Sequence, residues 1–279
     1  MILVTGSAGI VGSAFMEFLI SKGVNTIGMN RDQFDLSQGT PLVRFIQKRP
    51  DVIIHLAAAV PHSVRYPDSE SSAIKTNSID KVIFNAAKEW GCRIIYASTC
   101  SLYDKTVQSV KFEDSPISDS LQSPYMKAKY DGEQMFSSLP SYSILRLPAP
   151  IGPNLPDTVV AKRFLYDALI TKKISVWGTG KRQQNYVDVL DIANAFYKTA
   201  FSSCCGIFNI SAEKPITMLE LAKSFVSVIP QSSYQTNDVH DPLEFECTDY
   251  SNTKAKKTLN WSPSISLIES IRTMLKKLK

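Results

Sequence analysis

Histidine is scarce in this 279-residue chain: His55, His62 and His240 stand far apart. Cysteine is sparse too. The five present, Cys92, Cys100, Cys204, Cys205 and Cys247, are odd in number and form no C-x-x-C pair. These shortages argue against a disulfide scaffold and against a zinc site, so no metal is expected, and they point to a reducing compartment. Cys204 and Cys205 are adjacent, which would strain a mutual bridge, and are read as interior thiols. Long apolar runs are missing as well. The longest, "VIIHLAAAV", falls far short of the ~20 residues that span a bilayer. No signal-peptide pattern opens the sequence, which begins "MILVTG". The expectation is a cytoplasmic protein with no membrane partner. Positive charge is in slight excess, +5 net, but is not massed in one block. Its densest run, "TMLKKLK", closes the chain, where a helix dipole favours cations. No nucleic-acid motif accompanies it.

What the chain does have is an ordinary globular balance, 44% hydrophobic and 20% charged, enough for a full core. Apolar runs of strand length alternate with helical patterns. "MILVT", "VNTIGM", "DVIIHLA", "RIIYAS" and "SYSILRL" read as strands. Between them, "IVGSAFMEFLISKG", "SESSAIKTNSIDKVIFNAAKEWG" and "SPYMKAKYDGEQMFSSL" read as helices, and "TPLVRFIQKR" as a short helix with Thr40 as N-cap. Continuous apolar strands between helices imply an α/β fold, a parallel sheet covered on both faces. Four prolines between Pro148 and Pro156 mark a boundary. We therefore expect a dinucleotide-binding domain over 1–150. A smaller α/β lobe over 151–279 would bind substrate, with some segments returning to the first domain. Within it, Asp191 is a candidate helix cap, Trp261 and Pro263 read as packing and a helix stop, and the last helix starts near Ser266.

The first strand runs into "TGSAGIVG". Gly6 allows a tight turn, Gly9 lets the backbone approach a pyrophosphate, and Gly12 permits close helix–strand packing, with a helix N-terminus facing the anion. The strand–turn–helix context makes this a dinucleotide site. The second strand ends at Asn30 and Arg31. A neutral side chain beside a guanidinium suits a ribose 2′-phosphate, so NADP is favoured over NAD. Further on, "SPYMKAK" puts Tyr125 and Lys129 one turn apart on a helix face. An ammonium beside a phenol favours the phenolate and brings it into range as a general acid/base. The stretch "STCSLYD", one strand earlier, adds a hydroxyl cluster.

Taken together these motifs resemble the extended short-chain dehydrogenase/reductases, in particular the sugar-nucleotide epimerase, dehydratase and reductase group. The resemblance runs nearly end to end, through "TGSAGIVG", "HLAA", "STCSLY", "YMKAK", "LRLPAPIGP", "GTGKRQQNYVDVLDIANAF", "FNISAEKPITMLELA" and "DYSNTKAKKTLNWSP". It implies a Rossmann-type doubly wound sheet and a nicotinamide cofactor. Tyr125 would exchange a proton with a sugar oxygen. Lys129 would hold the nicotinamide ribose and lower the Tyr125 pKa. Thr99 would hydrogen-bond the reacting oxygen, and Asn77 would support the site. Asp35 and Leu36 match the pair bordering adenine, and Leu56, Ala57 and Ala58 the segment along pyrophosphate and ribose. Ile10 and Pro148 complete the expected cofactor contacts. A homodimer is implied, since relatives pair helices.

The resemblance also shows departures. Dehydratases of the group carry Asp-Glu after the catalytic hydroxyl; here stand Cys100 and Ser101, which disfavours water elimination. Between the remaining reactions, the Asn30–Arg31 pair, the "NRDQFDL" segment and the short chain lean towards a keto-sugar reductase, with a nucleotide-sugar epimerase as the alternative. A non-catalytic NAD(P)-sensing role is the reading from another class, and retention of Thr99, Tyr125 and Lys129 argues against it. Gln184 replaces an arginine that usually meets the substrate diphosphate, while Arg182 lies two residues earlier. Arg163, Arg182, Gln184 and Ser101 are the candidate substrate contacts. Asp104, where relatives often have glycine, has no role from the sequence.

Overall fold

The computed structural model describes residues 1–46, 48–61, 68–118 and 123–278; His62 and Lys279 lie outside them. β1 (Ile2–Thr5) runs through the glycine turn into α1 (Ile10–Ser21) and back to β2 (Thr26–Met29). Next come β3 (Val52–His55), α2 (Glu70–Trp90), β4 (Arg93–Thr99), α3 (Pro124–Ser137), β5 (Tyr142–Leu147) and β6 (Ala149–Ile151). They are followed by α4 (Val160–Tyr166), β7 (Lys173–Trp177), β8 (Gln183–Gln184), β9 (Tyr186–Asp188) and α5 (Val189–Ala200). The chain closes with β10 (Gly206–Asn209), β11 (Ile216–Thr217), α6 (Met218–Val228), β12 (Ser233–Asn237), α7 (Thr253–Leu259) and α8 (Leu267–Lys276).

Six strands form the central sheet in the order β2-β1-β3-β4-β5-β10, every neighbour parallel. All four residues of β1 are buried, as the unbroken apolar run requires of a strand covered on both faces. One face is covered by α1 and α5, where Phe15 meets Phe196 with ring centroids 5.8 Å apart, and by Trp261, which is fully buried. On the other face, α2 and α3 bring Ile79, Val82, Ile83 and Phe136 onto Leu3, Ile53, Ile94 and Ile144. A third core joins α4, β7, α6 and α8 through Phe164, Val176, Phe225 and Ile271. The sheet is thus doubly wound. Residues beyond 151 build the third core and also return α5 and β10 to the sheet.

Local signals set the helix ends. Ser69 accepts the Ser72 N–H at the start of α2, and Gly91 closes that helix in the left-handed region at φ 58°. Ser123 accepts the Met126 N–H at the start of α3, with Pro124 in its first turn. Ser266 caps α8 through a reciprocal pairing with Glu269.

Three local expectations need correction. The helix read at "TPLVRFIQKR" is only a 3₁₀ turn at Leu42–Arg44, with Pro41 and not Thr40 before it. The hydrogen bonds of this turn close tighter rings, the Arg44 N–H donating to the Pro41 carbonyl and the Phe45 N–H to the Leu42 carbonyl, three residues back. Its buried Leu42 and Ile46 reach the core from this turn. Asp191 does not cap α5. Asp188 does, accepting the Leu190 N–H. The Asp191 carboxylate instead takes the Ser264 N–H, the Ile265 N–H and the Ser264 hydroxyl. Cys204 is half-buried and Cys205 exposed, because both lie in the loop that feeds the outer strand β10.

Candidate active site

The chain leaves β1 for β2 on one side and then crosses to β3 on the other. Beyond the carboxyl ends of strands at such a reversal the loops diverge and leave a crevice. A cleft of about 470 Å³ opens there. The glycine turn supplies Gly6, Gly9, Ile10 and Gly12 to its wall, and the loop after β2 supplies Asn30, Arg31, Asp35 and Leu36. Leu56, Ala57 and Ala58 follow from β3, Thr99 from the end of β4, Tyr125 and Lys129 from α3, and Pro148 from β5.

The turn is built for close approach of backbone. Gly6 has φ +70°, and a Cβ there would lie 2.7 Å from the Ala57 nitrogen. A Cβ on Gly12 would lie 2.1 Å from the Gly6 carbonyl oxygen. Gly9 is the N-cap of α1 and has no side chain to cap it. The first N–H groups of α1 therefore face the cleft without a side-chain acceptor, which suits a pyrophosphate. This cradle fits a dinucleotide cofactor. Along the rim, Asn30 and Gln33 exchange backbone-to-side-chain hydrogen bonds of 3.0 and 3.1 Å, so Asn30 shapes the turn. Arg31 is exposed beside it. Asp35 accepts the Ser37 hydroxyl and N–H, bonds that hold its carboxyl below the ordinary value.

At the catalytic end, Thr99 Oγ1 accepts the Ser101 N–H at 3.1 Å, which leaves the hydroxyl proton for another acceptor. The Tyr125 N–H donates to Asp68 Oδ1 at 3.0 Å. Lys129 is buried; its Nζ donates to the Ala97 carbonyl at 2.8 Å and lies 4.4 Å from the Tyr96 ring centroid. Burial lowers the Lys129 pKa, against the pull of Asp80 and Glu133. The Tyr125 phenol is raised well above its ordinary value, first by burial and then by the Asp80 and Asp68 carboxylates. Burial and the two carboxylates oppose the lowering expected from Lys129, whose Nζ is hydrogen-bonded to the Ala97 carbonyl.

Cys100 cannot replace a missing acid or base: it is buried, its thiol donates to the Arg146 carbonyl, and burial pushes its pKa up. Asp104 accepts the Thr106 N–H and hydroxyl, so its role is to shape a turn. Asn77 lies on α2 outside the cleft lining, with its Oδ1 buried and unpartnered among the described residues. Ser101, Arg163, Arg182 and Gln184 do not line this cleft either. Arg163 is exposed on α4, Gln184 pairs with Ile216 between β8 and β11, and Arg182 sits 3.9 Å from Asp241.

Two buried ensembles behind the cleft escaped the sequence reading. In one, Glu133 receives Arg146 through Nε at 2.9 Å and Nη2 at 2.7 Å, and also accepts the Ser98 hydroxyl. In the other, His55, Asp80 and Tyr96 join across β3, α2 and β4. The available signal was polar residues inside apolar strand runs, "VIIH", "RIIYAS" and "SILRL", each needing a buried partner.

Residues 2–210 match the family described as the NAD dependent epimerase/dehydratase family. UDP-glucuronic acid decarboxylase 4 of Arabidopsis thaliana is 27% identical over 306 residues, covering 99% of this chain and 68% of that protein. A UDP-glucose 4-epimerase of Mycolicibacterium smegmatis is 25% identical over 304 residues, covering 96% of this chain and 95% of its own. Among solved structures, the UDP-glucose 4-epimerase of Thermotoga maritima with UDP-glucose superposes with a TM-score of 0.85 at 24% identity, covering 100% of this chain and 99% of that one. Pal from Bacillus thuringiensis gives 0.86 at 22% identity, with the same coverage. With its doubly wound sheet, its glycine cradle at the strand reversal and a match over most of its length, the chain belongs to the NAD-dependent epimerase/dehydratase family, within the extended short-chain dehydrogenase/reductases.

Proposed function

We propose that this protein is a nucleotide-sugar epimerase that works by transient oxidation and re-reduction of a ring carbinol. The observation that carries this reading is one shared cleft: Thr99, Tyr125 and Lys129 stand on the wall that the glycine turn opens. Relatives of nearly the same span include a UDP-glucose 4-epimerase and a UDP-glucuronate 4-epimerase, which weakens chain length as a reason to prefer a reductase. Residues 1–150, with β10, would hold the cofactor, and 151–279 the substrate.

When bound, the nicotinamide takes up and returns a hydride. Tyr125 takes the hydroxyl proton of the sugar and later returns it to the same oxygen. Thr99, whose acceptor side is occupied by the Ser101 N–H, donates its proton to that oxygen. Lys129 would hold the nicotinamide ribose. Burial and the Asp80 and Asp68 carboxylates favour the phenol form of Tyr125, and positive charge beside it would favour the phenolate that takes the alcohol proton.

A second reading, a keto-sugar reductase, is favoured by two observations. A resting phenol is already the proton donor that carbonyl reduction needs, and exposed Arg31 on the rim suits the 2′-phosphate of NADP. The test is incubation with UDP-glucose, UDP-glucuronate and 4-keto nucleotide sugars, each with NAD and with NADPH, followed by NMR of the products in D₂O. Epimerisation without net cofactor turnover, and without deuterium at the inverted carbon, is expected, and Tyr125→Phe should abolish it. Stoichiometric NADPH consumption establishes the reductase, and release of carbon dioxide from UDP-glucuronate would refute both readings.

A further inference from the structure

Beneath the catalytic lysine lies a chain of buried polar groups that neither cofactor binding nor proton transfer accounts for. Thr5 Oγ1 lies 2.7 Å from His55 Nδ1 at the end of β1, His55 Nε2 lies 2.9 Å from Asp80 Oδ1 on α2, and the Tyr96 hydroxyl donates to Asp80 Oδ2 at 2.8 Å from β4. Thr5, His55, Asp80 and Tyr96 are all fully buried. Burial favours a neutral His55, which then donates from Nε2 to the carboxylate and accepts the Thr5 hydroxyl at Nδ1. Among the described residues, no lysine or arginine is hydrogen-bonded to the Asp80 carboxylate. Lys129 approaches from α3, its Nζ standing over the ring of the tyrosine that donates to Asp80. The other buried carboxylate nearby, Glu133, is already matched by Arg146. The backbone is cut to this arrangement: a Cβ on Gly132 would lie 2.4 Å from the Tyr96 hydroxyl and 2.6 Å from Asp80 Oδ2.

We propose that Asp80, clamped by His55 and Tyr96, is the buried counter-charge that keeps Lys129 an ammonium and thereby positions the Tyr125–Lys129 pair. Asp80 is a positioning residue, because it touches neither the cleft nor a reacting atom. Lys129 feels Asp80 from α2, His55 from β3 and Glu133 from its own helix, and stands over the Tyr96 ring from β4; Tyr125 lies one turn earlier on α3, where Asp68 faces it from the loop before α2. Burial alone drives a lysine towards its neutral form, and a neutral Lys129 would lack the positive charge that the proposed chemistry asks of it.

The proposal rests on the catalytic reading of the pair, and the experiment separates the two. Lysine labelled with ¹³C at Cε is followed by NMR titration, the Lys129 signal being assigned by its loss in Lys129→Arg. In the wild type Lys129 is expected to be charged at neutral pH. In Asp80→Asn, which keeps the shape and removes the charge, its midpoint should fall by about one pH unit or more, the usual effect of one nearby opposite charge. A neutral Lys129 in the wild type, or an unshifted midpoint in a folded Asp80→Asn, overturns the proposal. Should that variant not fold, a neutral wild-type Lys129 still overturns the proposal. The pH–rate profile of kcat on the sugar substrate is the second readout, and its limbs should shift in Asp80→Asn, whereas a purely structural role would lower kcat without moving them. If the titration behaves as stated but no sugar is turned over, the functional reading fails and the charge pairing stands.

Discussion

Replacing Gly12 by alanine tests whether the glycine turn is shaped by contact or merely tolerates glycine. A Cβ built at Gly12 falls 2.1 Å from the Gly6 carbonyl oxygen and 2.9 Å from both Gly6 C and Ser7 Cα. All three are backbone atoms, so no rotamer change relieves the clash. To reach even 3.0 Å, α1 and the turn must part by about 1 Å, a large displacement in an interior packed as densely as a crystal. Overpacking of this kind costs roughly 1–3 kcal/mol, which lowers Tm by roughly 2–10 °C for a chain of this size. The same displacement moves the first N–H groups of α1 off their target, and a loss of ~1.4 kcal/mol there is already about tenfold in Kd. Gly9→Ala is the control: its Cβ lies 3.2 Å from the Gly6 oxygen, a contact that a shift of tenths of an ångström relieves. The assays are thermal unfolding and fluorescence titration with NADH. Gly12→Ala should lose both stability and affinity, and more stability than Gly9→Ala. Equal Tm in the two variants, with wild-type NADH affinity in Gly12→Ala, would refute the reasoning.

Arg31→Ala should weaken NADPH binding while leaving NADH affinity nearly unchanged, measured by parallel titrations; equal changes for both would remove Arg31 from cofactor choice. Glu133→Gln leaves Arg146 buried without a counter-charge, and breaking such a pair costs about 3–5 kcal/mol, which urea unfolding should report. A cost under about 1 kcal/mol would mean that water or another group compensates. His55 is held neutral by burial, its pKa depressed. Below the ordinary imidazole value of about 6.5, the unfolded chain binds a proton that the fold refuses. Its stability contribution is therefore complete above about pH 6.5 and declines by up to roughly 1.4 kcal/mol per pH unit on acidification. His55→Asn should flatten that decline between about pH 6.5 and 5.5; an unchanged slope of denaturation midpoint against pH would contradict it.

The strands and the long helices were legible because their signals are local. An apolar run such as "MILVT" has no other way to bury itself, and Ser69, Ser123, Gly91 and Ser266 satisfy backbone groups of their own helix ends. The cofactor wall was legible for a related reason: a glycine turn between a strand and a helix constrains its own geometry. Asp191 was misread because Asp188, three residues earlier, competes for the same helix end, and only the distant Ser264 and Ile265 show where the Asp191 carboxylate goes. The Tyr125–Lys129 spacing puts both residues on the cleft wall, but the Asp80 and Asp68 carboxylates beside them come from α2 and the loop before it. Helical spacing reveals which side chains share a face, but it is silent on the carboxylates that other elements bring.

The sequence by itself determined the alternation of elements, the glycine cradle, and the hydroxyl, phenol and ammonium that line the cleft, because each depends on residues within a turn or two of one another. Tertiary structure alone decided what those groups feel. Asp80, His55, Tyr96 and Lys129 come from α2, β3, β4 and α3 and meet only when the sheet is assembled. Electrostatic interactions depend on distance and burial in three dimensions, and neither is written in the spacing along the chain.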